Sequence, residues 1–347
     1  MLSSTLPKSD PFNRNHLLRD AIGQAIYDGM VLDPAIHLFG EGAHAKVHYD
    51  APKIEADFLD RVHTLPISED GSTNFAVGTS LLGIKPVVDV IGADFLYRTT
   101  DSIANTAAKL NFTRPTEDPK TIVIRAEFLI GGPTTGQRPE SLFTHISGLR
   151  VIAPSTPRDV YGLMRTALST PGVTLFFEDR MIQDDDDWSL SDLTPVGPLP
   201  FGAASWCHRG QRGNVTVVTY GLMRQVVQRV LRRYRFDPIL KDYSADDYPM
   251  LCDLIDLVSL SPIDWNFITK MTERTGRLLI VEPDVQYGGI GAEIAAYFQE
   301  RRPHVKVRRL GAPLSTIPAS TALHSQMLPT EEQIVAAIRG FDNFGYG

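Results

Sequence analysis

LRVIAPSTPRDVYGLMRTALSTPGVTLFFED, residues 149–179, carries two short apolar runs, Leu149–Ala153 and Val173–Phe177, on either side of Pro157–Leu168. Neither run alternates polar with apolar residues, so both read as strands covered on two faces. The segment between them returns its apolar residues at helical spacing. Strand, helix, strand in that order is a parallel crossover unit.

The same alternation extends outward in both directions. Upstream, an amphipathic helix is expected over Asn15–Val31, then a strand in AIHLFGEG (35–42), and a short apolar run, VHTLPIS, within Phe58–Ser68. A helix over Phe75–Leu82, a buried strand KPVVDVI (85–91), a helix over Thr99–Asn111 and a strand TIVIRAEF (121–128) follow, then a Gly/Pro/Thr loop at 131–139. Downstream come VTVVTYG (215–221), a helix Met223–Tyr234, a polar loop Pro238–Pro249 and DLIDLVSL (253–260) as a strand. A helix near Ile268, RLLIVEP (277–283), a helix Ala292–Phe298, VKVRRLG (305–311) and a closing helix Glu331–Phe341 complete the chain. Between the two series lies DDDDWSLSDLTPVGPLP (184–200), where like-charge repulsion and proline favour an exposed linker. The expected fold class is therefore α/β, two consecutive domains with mainly parallel sheets, residues 1–190 and 191–347.

Composition narrows the function. The 347 residues carry 34 basic and 41 acidic side chains, a formal charge of −7, which argues against a general nucleic-acid binder. Arg229, Arg232, Arg233 and Arg235 read as a solvated helix end. Two cysteines, Cys207 and Cys252, are too few for a disulfide framework or a zinc site. No apolar stretch reaches bilayer length, and Met1–Asn15 has no apolar signal core, so a cytoplasmic protein away from membranes is expected.

Known phosphate, metal and nucleophile motifs are missing from the sequence. Gly288, Gly289 and Gly291 lack dinucleotide-loop spacing and read as close strand-to-helix packing, and no metal site is expected. Histidines 145, 208, 304 and 324 have no spacing for ligation and read as satisfied or surface residues. Three loops are less ordinary. Pro66–Gly71 sets the acid Glu69 after an apolar strand, where a helix N-cap is the alternative reading. Ala93–Tyr97 puts aromatics at a strand end, suited to a flat heterocycle or to the core. Gly131–Gln137 is polar and also follows a strand. All three stand at the carboxyl ends of predicted parallel strands, where α/β sheets bind ligands.

At these residues the chain resembles the β subunits of thiamine diphosphate-dependent 2-oxo acid dehydrogenase E1 components, within the transketolase-like superfamily. The likeness runs through LFGEG (38–42), PISEDG (66–71), DFLYRTTDSIANTAAK (94–109), RPESLFTHISGLRVIAPSTPRD (138–159) and VTVVTYG (215–221). It continues through IDLVSLSPID (255–264), TGRLLIVEPDVQYGGIGAEIA (275–295) and IPASTALHSQMLPTEEQIVAAI (317–338). The resemblance implies a pyrimidine-binding domain followed by a transketolase C-terminal domain. It implies that Glu69 shares a proton with N1′ of the cofactor's aminopyrimidine, that Phe95 packs on that ring, and that Ile67 and Ile91 line its pocket. Glu41 matches an acid near the channel between active sites.

The superfamily's diphosphate-binding GDG…N motif is missing, so the resemblance implies thiamine diphosphate with Mg²⁺ held by an α-like partner in an α₂β₂ assembly with β–β contacts. A lipoyl-bearing E2 would be a further partner. One departure concerns the reaction: Thr135 stands where the family has a histidine that positions the intermediate and passes an acyl group to lipoyl. A threonine hydroxyl cannot carry a proton near neutral pH. Either Arg138 or the partner substitutes, or the acceptor is not lipoamide. A split transketolase or acyloin-forming transferase is thus the alternative, and a non-catalytic assembly homologue a third reading.

Overall fold

The computed structural model describes residues 16–41, 52–113, 119–129, 132, 134–182, 196–208, 214–236 and 252–341. The expected boundary at 190/191, most of the 184–200 linker and the 238–249 loop lie outside the described residues. Six strands of the first half form one sheet: β1 (Ile36–Gly40), β2 (Val62–Thr64), β3 (Lys85–Gly92), β4 (Thr121–Phe128), β5 (Leu149–Ile152) and β6 (Gly172–Asp179). The second half adds β7 (Ser205–His208), β8 (Val215–Thr219), β9 (Cys252–Asp256), β10 (Ser259–Ser261), β11 (Arg277–Val285) and β12 (Lys306–Ala312).

The strand orders are β10-β5-β6-β4-β3-β1-β2 and β12-β11-β8-β9-β7. All pairings are parallel except β10 with β5 and β7 with β9. The two-domain α/β reading therefore holds, with one exchange across it. DLIDLVSL is not a single strand. Val258 takes a positive φ of 46°, held by its amide donating to Asp256 Oδ1, and the break sends β10 to the edge of the first sheet. Strand β7, an edge strand of SWCH, carried no clear apolar signal.

Helices cover both faces of the sheets, as non-alternating strands require. One apolar layer gathers side chains from helices His16–Leu32, Pro157–Ser169, Leu222–Phe236 and Glu331–Arg339. The other gathers them from Glu69–Ser80, Trp265–Thr275 and Ile290–Arg301. The helix expected over 99–111 is instead a 3-10 turn Ala93–Thr99, a π turn Ser102–Ala107 and a short helix Leu110–Thr113. Four hydroxyls and carboxylates intervene locally there: Thr99 and Thr100 donate to the Leu96 carbonyl, and Ser102 donates to Asp70. Such side-chain bonds compete with the helical ladder, and π segments recur at functional sites. In the arginine-rich helix end, Arg229 and Arg233 are exposed and face Glu331, and the Arg235 side chain lies outside the described residues.

Candidate active site at the strand carboxyl ends

The carboxyl ends of β1, β2 and β3 bring three acids together. Gly40 permits this: a Cβ there would lie 2.8 Å from Asp89 Cβ, so only glycine lets β1 and β3 approach. Glu41, the next residue, accepts a hydrogen bond from Ser68 N at 2.8 Å. Burial pushes the Glu41 carboxyl above its ordinary range, and the nearby Glu69 and Asp89 charges push the same way. Ser68 is the N-cap of helix Glu69–Ser80 and Glu69 is the first helical residue. The capping alternative thus falls on Ser68. Glu69 lies at the favourable end of the macrodipole, but its carboxylate is turned to Arg98 Nε at 3.3 Å.

Strand β3 ends in strain. Ile91 has φ +64°, a left-handed conformation costly for a β-branched residue, and its amide donates to Asp89 Oδ1 at 2.9 Å. The register of β3 against β4 shifts between Asp89 and Gly92, a bulge that re-aims the chain. What it aims is the turn Ala93–Thr99, and four of its side chains reach four places. Asp94 accepts from Gly136 N at 3.1 Å and Gln137 N at 2.9 Å, clamping the loop after β4. Phe95 packs against Gly92, where a Cβ would sit 3.1 Å from its ring. Tyr97 lines a cavity, and Arg98 holds Glu69.

That cavity, about 600 Å³, lies between the loop Thr134–Arg138 and the carboxyl ends of β11 and β12, with Asp284, Thr316, Ile317 and His324 on its far wall. Of the expected site residues, Thr135 and Arg138 line it. Arg138 is committed elsewhere: its Nη2 donates to Asp179 at 2.6 Å and its guanidinium lies 4.2 Å over the Phe128 ring. Glu140 behind it is fully buried, and burial lifts its carboxyl well above the ordinary range despite Arg138 at 3.6 Å. Glu41, Ile67 and Glu69 form the second group, joined through Ser68, and Ile67 is 84% exposed. Ile91, near the end of β3, and Phe95, in the turn Ala93–Thr99, lie on the segment that carries Tyr97 and Arg98. Among the described residues no cluster of three or more His, Cys, Asp or Glu side chains could hold a metal ion. None of their helices is long and apolar enough to cross a membrane.

Two features escaped the sequence reading. Asp94 is the clamp of the loop, and an Asp before an aromatic carries no local sign of that. His324 corrects an expectation: it is neither satisfied nor on the surface, being 3% exposed with Nδ1 buried and unpartnered. Its surroundings come from chain segments some 190 residues away, which no local pattern reveals. Gly289 and Gly291 are close-packing residues as expected, whereas Gly288 has open space around it and serves a turn at φ +73°. A Cβ on Gly289 or Gly291 would lie 2.5 or 2.7 Å from the Glu282 carboxylate, which accepts from Gly291 N.

Residues 16–183 match the transketolase pyrimidine-binding domain and residues 206–334 the transketolase C-terminal domain. The chain is 28% identical over 354 residues to the 2-oxoisovalerate dehydrogenase subunit beta 2, mitochondrial, of Arabidopsis thaliana, covering 98% of this chain and 93% of that one. It is 30% identical over 339 residues to the acetoin:2,6-dichlorophenolindophenol oxidoreductase subunit beta of Cupriavidus necator, covering 92% and 95%. With the pyruvate dehydrogenase E1 component subunit beta of Rickettsia felis it shares 26% over 337 residues, 93% and 97% of the two chains. A solved split-gene transketolase, described as an inactive beta4 tetramer, shares the fold at TM-score 0.74 and 20% identity over 93% of this chain and 97% of that one. The chain belongs to the transketolase family, in its E1 β-like branch.

Proposed function

We propose that this E1 β-like chain is the pyrimidine-holding subunit of a thiamine diphosphate-dependent enzyme acting on a 2-oxo acid, with an α-like partner supplying the diphosphate and Mg²⁺ half. The observation that carries the reading is the single turn 93–99. It ties Glu69, through Arg98, to the cavity lined by Tyr97 and to the loop clamped by Asp94. The donor set suits the ring half of the cofactor: a carboxylate for a ring nitrogen, with Phe95, Ile67 and Ile91 as apolar neighbours for a flat heterocycle. It does not suit the diphosphate half, because the described residues offer no metal-holding cluster. Thiamine diphosphate, when bound, supplies the electron sink for decarboxylation.

In this reading Glu69 holds the proton at the ring nitrogen, and Arg98 and the helix N-terminus keep it in place. Glu41 positions Ser68, and so the start of the helix that carries Glu69. Ile67 and Phe75, 84% and 56% exposed beside it, await the partner's surface. Two copies each of the two subunits, with β–β contacts, follow from the same likeness. The acceptor is the finer question. Thr135 on the cavity wall favours transfer to an aldehyde, as in a transketolase or acyloin-forming enzyme, over transfer to lipoamide on an E2.

Calorimetric titration of thiamine diphosphate with Mg²⁺, into the chain alone and into the chain co-expressed with its partner, tests the reading. Binding to the pair only is expected. Absence of binding to the pair, or full turnover by a Glu69→Gln complex, would leave the non-catalytic assembly role.

A further inference from the structure

We propose that the His324 imidazole is a catalytic base of the cleft. It takes the proton from the hydroxyl that the substrate's former 2-oxo oxygen carries, as the carbonyl re-forms and the carbon unit passes to its acceptor. The O–H bond breaks and an N–H bond forms on the ring. The O–H electron pair becomes the second bond of the carbonyl as the bond tethering that carbon to the cofactor breaks and its pair returns to the cofactor's electron sink, and the imidazolium then releases its proton to water. The inference rests on the 2-oxo acid reading above and assigns that site a residue from the C-terminal half of the chain.

Three observations carry it. First, His324 is 3% exposed, its Nδ1 is buried, and that atom has no hydrogen-bond partner. An orphaned buried polar atom is costly, so it needs a reason beyond packing. Second, the ring lines the 600 Å³ cavity directly against the clamped loop. A Cβ on Gly136 would lie 2.9 Å from His324 Cε1 and 3.3 Å from Nδ1, and Gly136 holds φ +101° with its amide fixed by Asp94. Only glycine leaves room for the imidazole there. Third, Arg138, Tyr97 and Thr135 on the wall are unsuited to take a proton near neutrality. Arg138 is held protonated by Asp179 and Glu140, Tyr97 is raised above its ordinary value by burial, and Thr135 has only a hydroxyl. Asp284, whose carboxyl burial raises above its ordinary range, is the rival base on the wall, and it is already engaged by Ser141 Oγ at 2.5 Å and Val285 N at 2.6 Å.

The ring's electrostatic surroundings fit a base. Arg138 opposes its protonation, while Asp179 and Asp94 favour it; Asp284 and Tyr97 share the cavity wall. Burial is the largest influence and, with Arg138, keeps the imidazole below its ordinary 6.5 and neutral at pH 7. Activity that needs the neutral ring therefore falls only as pH drops below that ordinary value.

The test uses the assembled complex of this chain with its partner, loaded with thiamine diphosphate and Mg²⁺, and pyruvate and 2-oxoisovalerate as donors. H324N and H324A should lower kcat by about 10²–10⁴-fold, the usual loss of a general base, with cofactor affinity unchanged. The acid limb of the kcat profile should disappear, and added imidazole should restore part of the H324A rate. A complex of either variant that turns over within threefold of wild type with the same pH profile overturns the proposal. A wild-type complex that binds no cofactor overturns the underlying reading and this proposal with it; a working wild type silenced by E69Q but not by H324N overturns the proposal alone. If neither His324 variant assembles, the wild-type profile decides: an ionisation below 6.5 controlling kcat supports the base, and a kcat governed by no ionisation below 6.5 overturns it.

Discussion

Two arginine–glutamate pairs, Arg125–Glu178 and Arg98–Glu69, use the same chemistry in opposite settings. Arg125 is fully buried between β3 and β6: Nε and Nη2 each donate at 2.6 Å to Glu178, Nη1 donates to Asp89 at 3.2 Å, and Arg180 closes the ring through Glu127. Arg98 is 74% exposed and makes one 3.3 Å contact with a Glu69 side chain that is only 10% exposed. The first pair is bidentate and buried, with the guanidinium fork matched to its acceptors inside the sheet. The second is open on one side, next to an exposed isoleucine and a strained strand end. A polar group completed by its own chain belongs to the fold, whereas one left incomplete beside apolar exposure marks where another molecule finishes the job.

The contrast is broken most directly at Arg125. Arg125→Met removes the cation and leaves Asp89, Glu127 and Glu178 buried together, which should cost about 3–5 kcal/mol of stability. Denaturant unfolding of the variant checks this, and a loss below 1 kcal/mol would mean the network is not closed in solution. Glu69→Gln should do the reverse. Its melting temperature should stay within a few degrees of wild type, while turnover of the assembled complex falls at least about 10²–10⁴-fold. If stability collapsed with activity, Glu69 would belong with Arg125 as a residue of the fold.

The difference between the pairs also explains what could be read from the sequence. Strands such as TIVIRAEF declared themselves by unbroken apolar character, although Arg125 and Glu127 within it gave no hint of a closed network. Their partners, Asp89 and Glu178, lie about 36 and 53 residues away in sequence. Glu69 was legible because an acid directly after an apolar strand is locally unusual, and the ordered landmarks around it are those of a family. The break after Asp256 was not legible, since DLIDLVSL has the composition of one strand and only Val258's positive φ divides it. His324 was illegible for the same reason in stronger form: its meaning comes from Gly136 and Asp94, which only folding brings to it.

Asp94 lies between the two extremes and sharpens the scale. It is buried, yet its two backbone bonds order the loop that carries Thr135. Asp94→Asn keeps one acceptor oxygen and loses one charge-assisted bond, worth about 1.5–3 kcal/mol. Most of that loss should appear at the loop, as a rise in KM for the 2-oxo acid of about tenfold or more, with a smaller fall in melting temperature. Steady-state kinetics separate the two, and a pure stability loss would place Asp94 with the fold.

The smallest effect is expected at Arg98, where the comparison is most exposed to failure. An ion pair with one partner in solvent contributes about 0–1 kcal/mol, because water screens the charge and the long side chain loses freedom when fixed. Arg98→Ala should therefore leave the unfolding midpoint almost unchanged, even though it removes the same type of side chain as Arg125→Met. Its consequence should appear only when the site is filled, as weaker retention of thiamine diphosphate by the complex, since the Glu69 carboxylate loses the cation that faces it. Equilibrium dialysis of the cofactor measures that directly. A stability loss approaching that of Arg125→Met would show that the open pair is closed by contacts within the chain, and the distinction between the two arginines would not survive.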